Sequence, residues 1–346
     1  MTRGRGEASL PAGGPARHIP VLLAESMEAL APRAGGLYLD GTFGAGGYSR
    51  ALLALGGEVI GVDRDPRAIA EGRAIAATAS GRLQLVEGRF GDLDEIARRL
   101  CWERLDGVVL DIGVSSMQLD EAERGFSLRF DAFLDMRMEG EGRTAADILA
   151  EDDEQTLADI FYHFGEERAA RRIARAIVAD RPSAPYVSTL QLARMIARVA
   201  PARPGELTHP ATKVFQALRI AVNDELGQLL RGLAAAERAL APGGRLVVVT
   251  FHSLEDRIVK QFLARRSGRG RAASRQLPGE PPIAPPSFLV RAGQPILPSA
   301  AELAVNPRAR SAKLRWAERT DAPPVVIDGA SVASTRLPLN FARKSR

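Results

Sequence analysis

Asp40, Asp63, Phe90 and Asp111 each stand at or just beyond the end of a short apolar run, and that position is what gives them a chemistry. Leu37-Tyr38-Leu39 leads to Asp40, Val59-Ile60-Gly61-Val62 to Asp63, Leu83 to Val86 into Gly88-Arg89-Phe90, and Gly107 to Leu110 to Asp111. Behind Asp40 comes a turn with glycine at 44, 46 and 47, then Tyr48. Such glycines let the backbone approach a ligand with no Cβ in the way, and a carboxylate beside them can hold an ammonium directly or through water. A dinucleotide fingerprint needs a third glycine where Ser49 stands, which counts against NAD. Asp63 lies twenty-three residues after Asp40, near the spacing at which an acid reaches ribose hydroxyls. Phe90 and Asp111, at the same strand edge, can respectively flank and hydrogen-bond an adenine.

An acid followed by Gly-x-Gly is the pattern of S-adenosylmethionine-dependent methyltransferases. Asp111-Ile112-Gly113-Val114-Ser115-Ser116 occupies the place where amino-methyltransferases of nucleic acid carry Asp/Asn-Pro-Pro-aromatic. An exocyclic base amine is a poor nucleophile because its lone pair is delocalised into the ring, and acceptors around it help it pyramidalise. Asp111, the turn carbonyls or the Ser115 hydroxyl can supply them, whereas the missing prolines and aromatic leave base stacking without a candidate at this turn.

The elements that position these residues alternate. Helices over Ala24 to Ala31, Ser49 to Leu55 and Asp65 to Ala77 separate the strands, which predicts an α/β fold with a doubly wound parallel sheet. The next strand, Arg245 to Val249 after the turn Ala241-Pro242-Gly243-Gly244, comes far too late for an ordinary crossover. The interval is helical in pattern: Ala145 to Leu149 after the N-cap Thr144, Glu166 to Ala179, and Ser188 to Val199. The expected organisation is a leader over 1–17, a discontinuous catalytic domain over 18–117 and 209–320, a helical insertion over 118–208 for substrate recognition, and a tail over 321–346. Ser267 to Pro298 reads as loop, and Lys313 to Glu318 as a last strand.

Composition removes other classes. With 45% hydrophobic and 26% charged residues, and 33 Gly and 22 Pro in 346, the chain is ordinary globular material. No run approaches bilayer length, so a soluble cytoplasmic protein with no membrane partner is expected. One cysteine, Cys101, and four histidines without ligand spacing argue against a metal. From Arg257 onward seventeen basic residues face five acidic ones, a net +12, which leaves −7 for the rest of a chain of total charge +5. A basic segment on an acidic body is the footprint of a protein that meets a polyanion.

Ordered blocks carry a resemblance across most of the chain. They include His18-Ile19-Pro20-Val21-Leu22-Leu23, Asp40 to Gly47, Asp63-Arg64-Asp65-Pro66, Leu110 to Ser116, Glu123-Arg124-Gly125-Phe126-Ser127 and Leu134-Asp135-Met136-Arg137-Met138. Tyr162 to Arg168, His209-Pro210-Ala211-Thr212, Phe251 to Arg257 and Asn306 to Ser311 continue the set. Together they resemble the bacterial ribosomal RNA small subunit methyltransferase H (MraW type) family. The resemblance implies a class I methyltransferase sheet with a helical insertion, and methyl transfer from S-adenosylmethionine to N4 of cytidine 1402 of 16S rRNA in the decoding centre. It implies cofactor contacts at Gly46, Gly47, Tyr48, Asp63, Phe90, Asp111 and Gln118. Tyr48 departs from the family pattern, where histidine is common, but a backbone contact survives that change.

A cytidine in folded RNA must be unstacked and turned into the pocket, with its flanking phosphates held by basic groups. Arg124, Arg137, Lys213, Arg219 and Arg257 are the candidates. His252 and Ser253, after the fifth strand, can contact the base, or His252 can satisfy a loop carbonyl. The expected substrate is 16S rRNA within the 30S subunit, and a homodimer is compatible with the sequence. Two other readings stay open: an amino-methyltransferase for DNA or another substrate, and a ribosome-assembly factor without essential turnover.

Overall fold

The computed structural model describes residues 20–202, 205, 208–268 and 285–325. The expected leader over 1–17 and most of the expected tail lie outside the described residues. The first half runs α1 (Leu23–Leu30), β1 (Leu37–Asp40), α2 (Gly47–Ala54), β2 (Glu58–Asp63), α3 (Pro66–Thr78), β3 (Leu83–Glu87), α4 (Leu93–Arg99) and β4 (Leu105–Asp111). Helices α5 (Ser116–Asp120), α6 (Ala145–Glu151), α7 (Glu154–Gly165), α8 (Ala170–Asp180), α9 (Thr189–Val199), α10 (Thr212–Asn223) and α11 (Glu225–Ala239) follow. The chain then forms β5 (Leu240–Thr250), α12 (Ser253–Arg266), β6 (Phe288–Leu289), α13 (Ala300–Val305) and β7 (Lys313–Arg319).

Among the described residues, seven strands form one sheet in the order β3-β2-β1-β4-β5-β7-β6. The first five are parallel, and β7 and β6 are antiparallel. The order reverses between β1 and β4, and a ligand in an open α/β sheet binds at the carboxyl ends of such a reversal. Asp40 pairs across from Val109 there, while Asp63 and Asp111 end the flanking strands β2 and β4. The strands read as nearly continuous apolar runs because both faces are covered. Leu39, Ile60, Val108 and Leu110 enter one core, Tyr38, Val59, Val109 and Val247 the other.

The expected elements are found with three differences. The helix expected over Glu166 to Ala179 begins only at Ala170, because Glu166 turns left-handed (φ 50°) and ends a separate helix, α7. The Pro-Gly-Gly turn before Val247 belongs to β5: Leu240 pairs with Leu105 before the register shifts, and a Cβ on Gly244 would lie 2.8 Å from the Leu105 carbonyl oxygen. Within the stretch expected to be loop, Phe288–Leu289 pairs with β7; residues 269–284 lie outside the described residues. Side chains of α6 to α9 and of the sheet share one continuous core, with α7 packed on α10. Among the described residues no helix is long and apolar enough to cross a membrane.

Candidate active site

A cleft of about 860 Å³ opens over the carboxyl ends of β1, β2 and β4. Its floor is the loop after β1. Gly41 N–H bonds the Val109 carbonyl at 3.0 Å and Phe43 N–H that of Val62 at 2.9 Å, so the loop is stitched to both neighbouring strands. Glycine is needed at 46 and 47 for packing: a Cβ would lie 2.7 Å from Ile75 and 2.1 Å from Pro20 respectively. Gly44 differs. Its φ is +50°, and a Cβ there would meet no atom closer than 3.8 Å, so the space above it is open to the cleft.

Asp40, expected to hold an ammonium, is completely buried and does not line the cleft. Its carboxylate accepts from Ser49 Oγ at 2.7 Å and Thr42 N–H at 3.3 Å. β1 is an interior strand, and the loop it feeds covers its last residue. Burial raises the Asp40 carboxyl to about 6. Asp63 does reach the cleft. It accepts from Gly44 N–H at 2.7 Å and Asp65 N–H at 2.9 Å, which ties the glycine loop to β2, and burial raises its carboxyl to about 6 as well.

Asp111 lines the cleft with Oδ1 buried and, among the described residues, without a hydrogen-bond partner. Burial, then the nearby Asp40 and Glu255 carboxylates, push its carboxyl well above the ordinary range. A buried lone pair of this kind costs free energy until a donor arrives. Phe90 lines the cleft between Gly41 and Gly232; a Cβ on either would fall within 3.1 Å of its side chain. Ser115 N-caps α5, accepting from Gln118 N–H at 3.2 Å, while Gln118 Oε1 accepts from Ser115 N–H at 3.1 Å. Gln118 Nε2 donates to Asp65 at 3.0 Å, so both ends of its amide are fixed at the cleft wall. Tyr48 is buried, and its hydroxyl donates to the Val21 carbonyl. Tyr48 still lines the cleft, but its hydroxyl is already engaged.

The basic residues divide. Arg124 donates to Asp65 at 2.9 Å and to the carbonyls of Arg137 and Met138 at 3.2 and 3.0 Å. Arg219 makes a two-pronged pair with Glu225 at 2.7 and 2.9 Å, and Arg137 another with Asp135 at 2.7 and 2.9 Å. Contrary to expectation, these three act as struts within the protein. Arg124 and Asn223 together clamp the 136–138 segment, Asn223 bonding Met136 O at 2.7 Å and Met138 N–H at 2.9 Å. Lys213 and Arg257 are exposed on α10 and α12, and Arg257 and Ser253 Oγ both reach Glu166, at 3.1 and 2.8 Å.

His252 lines the cleft as N-cap of α12, its Nδ1 accepting from Glu255 N–H at 3.4 Å. Its Nε2 lies 2.9 Å from Glu255 Oε1, without the angle of a hydrogen bond. Glu255, completely buried, also takes the backbone N–H groups of Phe251 and His252 at 2.8 and 3.1 Å. Despite its burial it is held below the usual carboxylate range by His252 and Arg219. Sequence reasoning assigned Glu255 nothing, although a cap residue followed three positions later by Glu is the signature of a capping box. Asn306, Pro307 and Arg308 close the rim, with Arg308 paired to Asp120 at 2.7 Å.

Comparison with known proteins adds a relationship. A family model described as the MraW methylase family matches residues 15–320. The ribosomal RNA small subunit methyltransferase H of Methylocella silvestris is 63% identical over 99% of this chain and 99% of its own length. The protein of the same name from Beijerinckia indica is 62% identical over 100% and 98%, and that from Methylorubrum extorquens strain PA1 is 61% identical over 91% of each chain.

Proposed function

This chain belongs to the MraW methylase family, and from that premise we infer that it methylates small-subunit ribosomal RNA at N4 of cytidine 1402 in 16S rRNA, with S-adenosylmethionine as donor. The observation that carries the reading is the orphaned, buried Asp111 Oδ1 at the switch point of the sheet, beside the open space over Gly44 and the cleft-facing carboxylate of Asp63. Each asks for something the donor and an amine substrate possess: N–H groups for Asp111, a backbone-hugging chain for the glycine loop, vicinal hydroxyls for Asp63.

The cofactor supplies an electrophilic methyl on a sulfonium, displaced in line by the amine. The protein's part is to hold donor and amine at attack distance, an advantage worth roughly 7–11 kcal/mol when the alignment is good. Asp63 accepts the ribose hydroxyls and keeps the loop against β2; Phe90 flanks the adenine. Asp111 accepts an N–H, either from the adenine or from the target amine as it pyramidalises, and Ser115 offers its hydroxyl from the first turn of α5. Both ring nitrogens of His252 face Glu255, so His252 shapes the pocket and Asp111 is the better proton acceptor. Lys213 and Arg257, both exposed, meet the flanking phosphates on this reading, and the helices between 118 and 208 serve as the substrate-recognition insertion.

The test is methyl transfer from labelled S-adenosylmethionine to 30S particles lacking the modification, naked 16S rRNA and DNA, followed by identification of the labelled nucleoside. N4-methylcytidine at position 1402 from 30S particles is expected. Label in DNA, or in another nucleoside, would overturn the assignment.

A further inference from the structure

The cleft does not end at its floor. Phe126, Ser127, Leu128 and Arg129 form one wall, and the chain then leaves the cleft through Phe130-Asp131-Ala132-Phe133. Phe130 is 45% exposed and Phe133 51% exposed, beside a 47% exposed Val187. Isolated apolar residues at a surface need no explanation, but two phenylalanines on one short loop leading out of a site do.

The loop is pinned from behind. Completely buried Thr189 donates its hydroxyl to Phe130 O at 2.6 Å and accepts from Ala132 N–H at 3.0 Å. Thr189 N–H donates to Ala132 O at 2.9 Å, and Leu134 N–H to Val187 O at 2.9 Å. Asp131 accepts from the Ser188 hydroxyl and, at 3.3 Å, from Leu190 N–H at the start of α9. The backbone is thus fixed onto the insertion while both rings face water. Rigid aromatic groups bind at low entropic cost, and an aromatic face is what an unstacked base needs.

We propose that Phe130 and Phe133 form a stacking platform for single-stranded nucleotides adjoining the target cytidine. The inference rests on the rRNA reading above and extends it outward from the cleft. Two features favour RNA over a protein partner. The platform is continuous with the cleft that must receive the flipped base, and exposed Arg129 stands between the two, where a flanking phosphate would pass. The platform also supplies the stacking that the Asp111 to Ser116 turn, without prolines or an aromatic, does not.

The experiment compares Phe130→Ala, Phe133→Ala, the double variant, and the conservative Phe130→Tyr and Phe133→Tyr pair. Each is assayed for KM and kcat on 30S particles lacking the modification, for S-adenosylmethionine affinity, and for mass in solution. The alanine variants are expected to raise KM about tenfold each at unchanged cofactor affinity, and the tyrosine pair to restore it. Unchanged KM in the double variant would overturn the platform while leaving the rRNA reading intact. Wild-type protein inactive on the particles would instead defeat the reading itself. Conversion of a wild-type dimer to monomer with KM unchanged would make the patch a contact between copies, and would also overturn the proposal.

Discussion

Asp63→Ala removes one side chain that holds the glycine loop and, on the proposed reading, accepts the ribose diol. In the free protein the carboxylate takes the Gly44 and Asp65 N–H groups at 2.7 and 2.9 Å, holding the loop to β2. Charge-assisted bonds of this sort are worth about 1.5–3 kcal/mol each, less at the cleft edge where water can take over. Against them stands the cost of the buried charge. A carboxyl raised from 3.8 to about 6 lowers stability by about 3 kcal/mol once ionised. The sign follows from the upward shift: that stability is fully present below pH 3.8 and is lost as pH rises through about 6. At pH 7.5 the alanine variant escapes this cost and forfeits the loop bonds. The upward shift is already net of the Gly44 and Asp65 bonds, so losing them adds no second penalty at this pH, and the melting temperature of the variant should not fall by more than a few degrees. Binding has no such compensation. Losing an ionised acceptor for the ribose diol costs about 1.5–3 kcal/mol per hydrogen bond, so calorimetry should find S-adenosylmethionine affinity down at least tenfold and up to a thousandfold. Wild-type affinity should also weaken as pH falls below about 6, because protonation competes with the diol, and the variant should lack part of that dependence. A dissociation constant within threefold of wild type, in a folded variant, would refute the ribose assignment.

Three further outcomes follow from the same geometry. Asp40→Asn abolishes a buried charge whose folded pKa is raised, so its stability relative to wild type should be about 2 kcal/mol more favourable at pH 8 than at pH 4.5; denaturant titrations at the two pH values check this, and no pH-dependent difference would contradict it. Asp111→Ala should lower single-turnover methyl transfer by about 10²–10⁴ on small-subunit particles; a rate within a factor of three would remove Asp111 from the chemistry. Lys213→Ala and Arg257→Ala should each weaken RNA binding and flatten its salt dependence by about one unit of slope, with cofactor affinity unchanged; slopes equal to wild type would place the phosphates elsewhere.

What could be read in the sequence was what local physics decides. Apolar runs ending in Asp40, Asp63 and Asp111 can be little else than strands of a covered sheet, and the reversal between β1 and β4 then brings their ends to one edge. The glycine loop was equally legible, since a positive φ at Gly44 and Gly46 and the Pro20 contact at Gly47 leave traces in residue type. Roles set by distant partners were not legible. Arg124 and Lys213 look alike in sequence, yet the first meets Asp65 across the wall of the cleft and the second stays exposed. A guanidinium becomes a strut or a phosphate ligand according to which carboxylate the fold brings beside it, and no spacing rule encodes that. Asp40 fails for a related reason: an acid at the end of an interior strand can face the ligand or support the loop that does, and the choice rests on the Ser49 hydroxyl 2.7 Å away.

The charges so sorted have a consequence for how the two substrates share the cleft. The floor holds Asp63 and Asp111 at its surface, with Asp40 and Glu255 beneath, and the cations beside it are already matched, Arg219 to Glu225 and Arg64 to Glu139. A cationic donor is favoured there and a phosphate is not. Arg129 lines the cleft and is exposed, and Lys213 is exposed on α10. On the proposed assignment, an acidic floor beneath an exposed arginine on the wall draws each ligand to its own level, so RNA phosphates do not compete for the donor's seat.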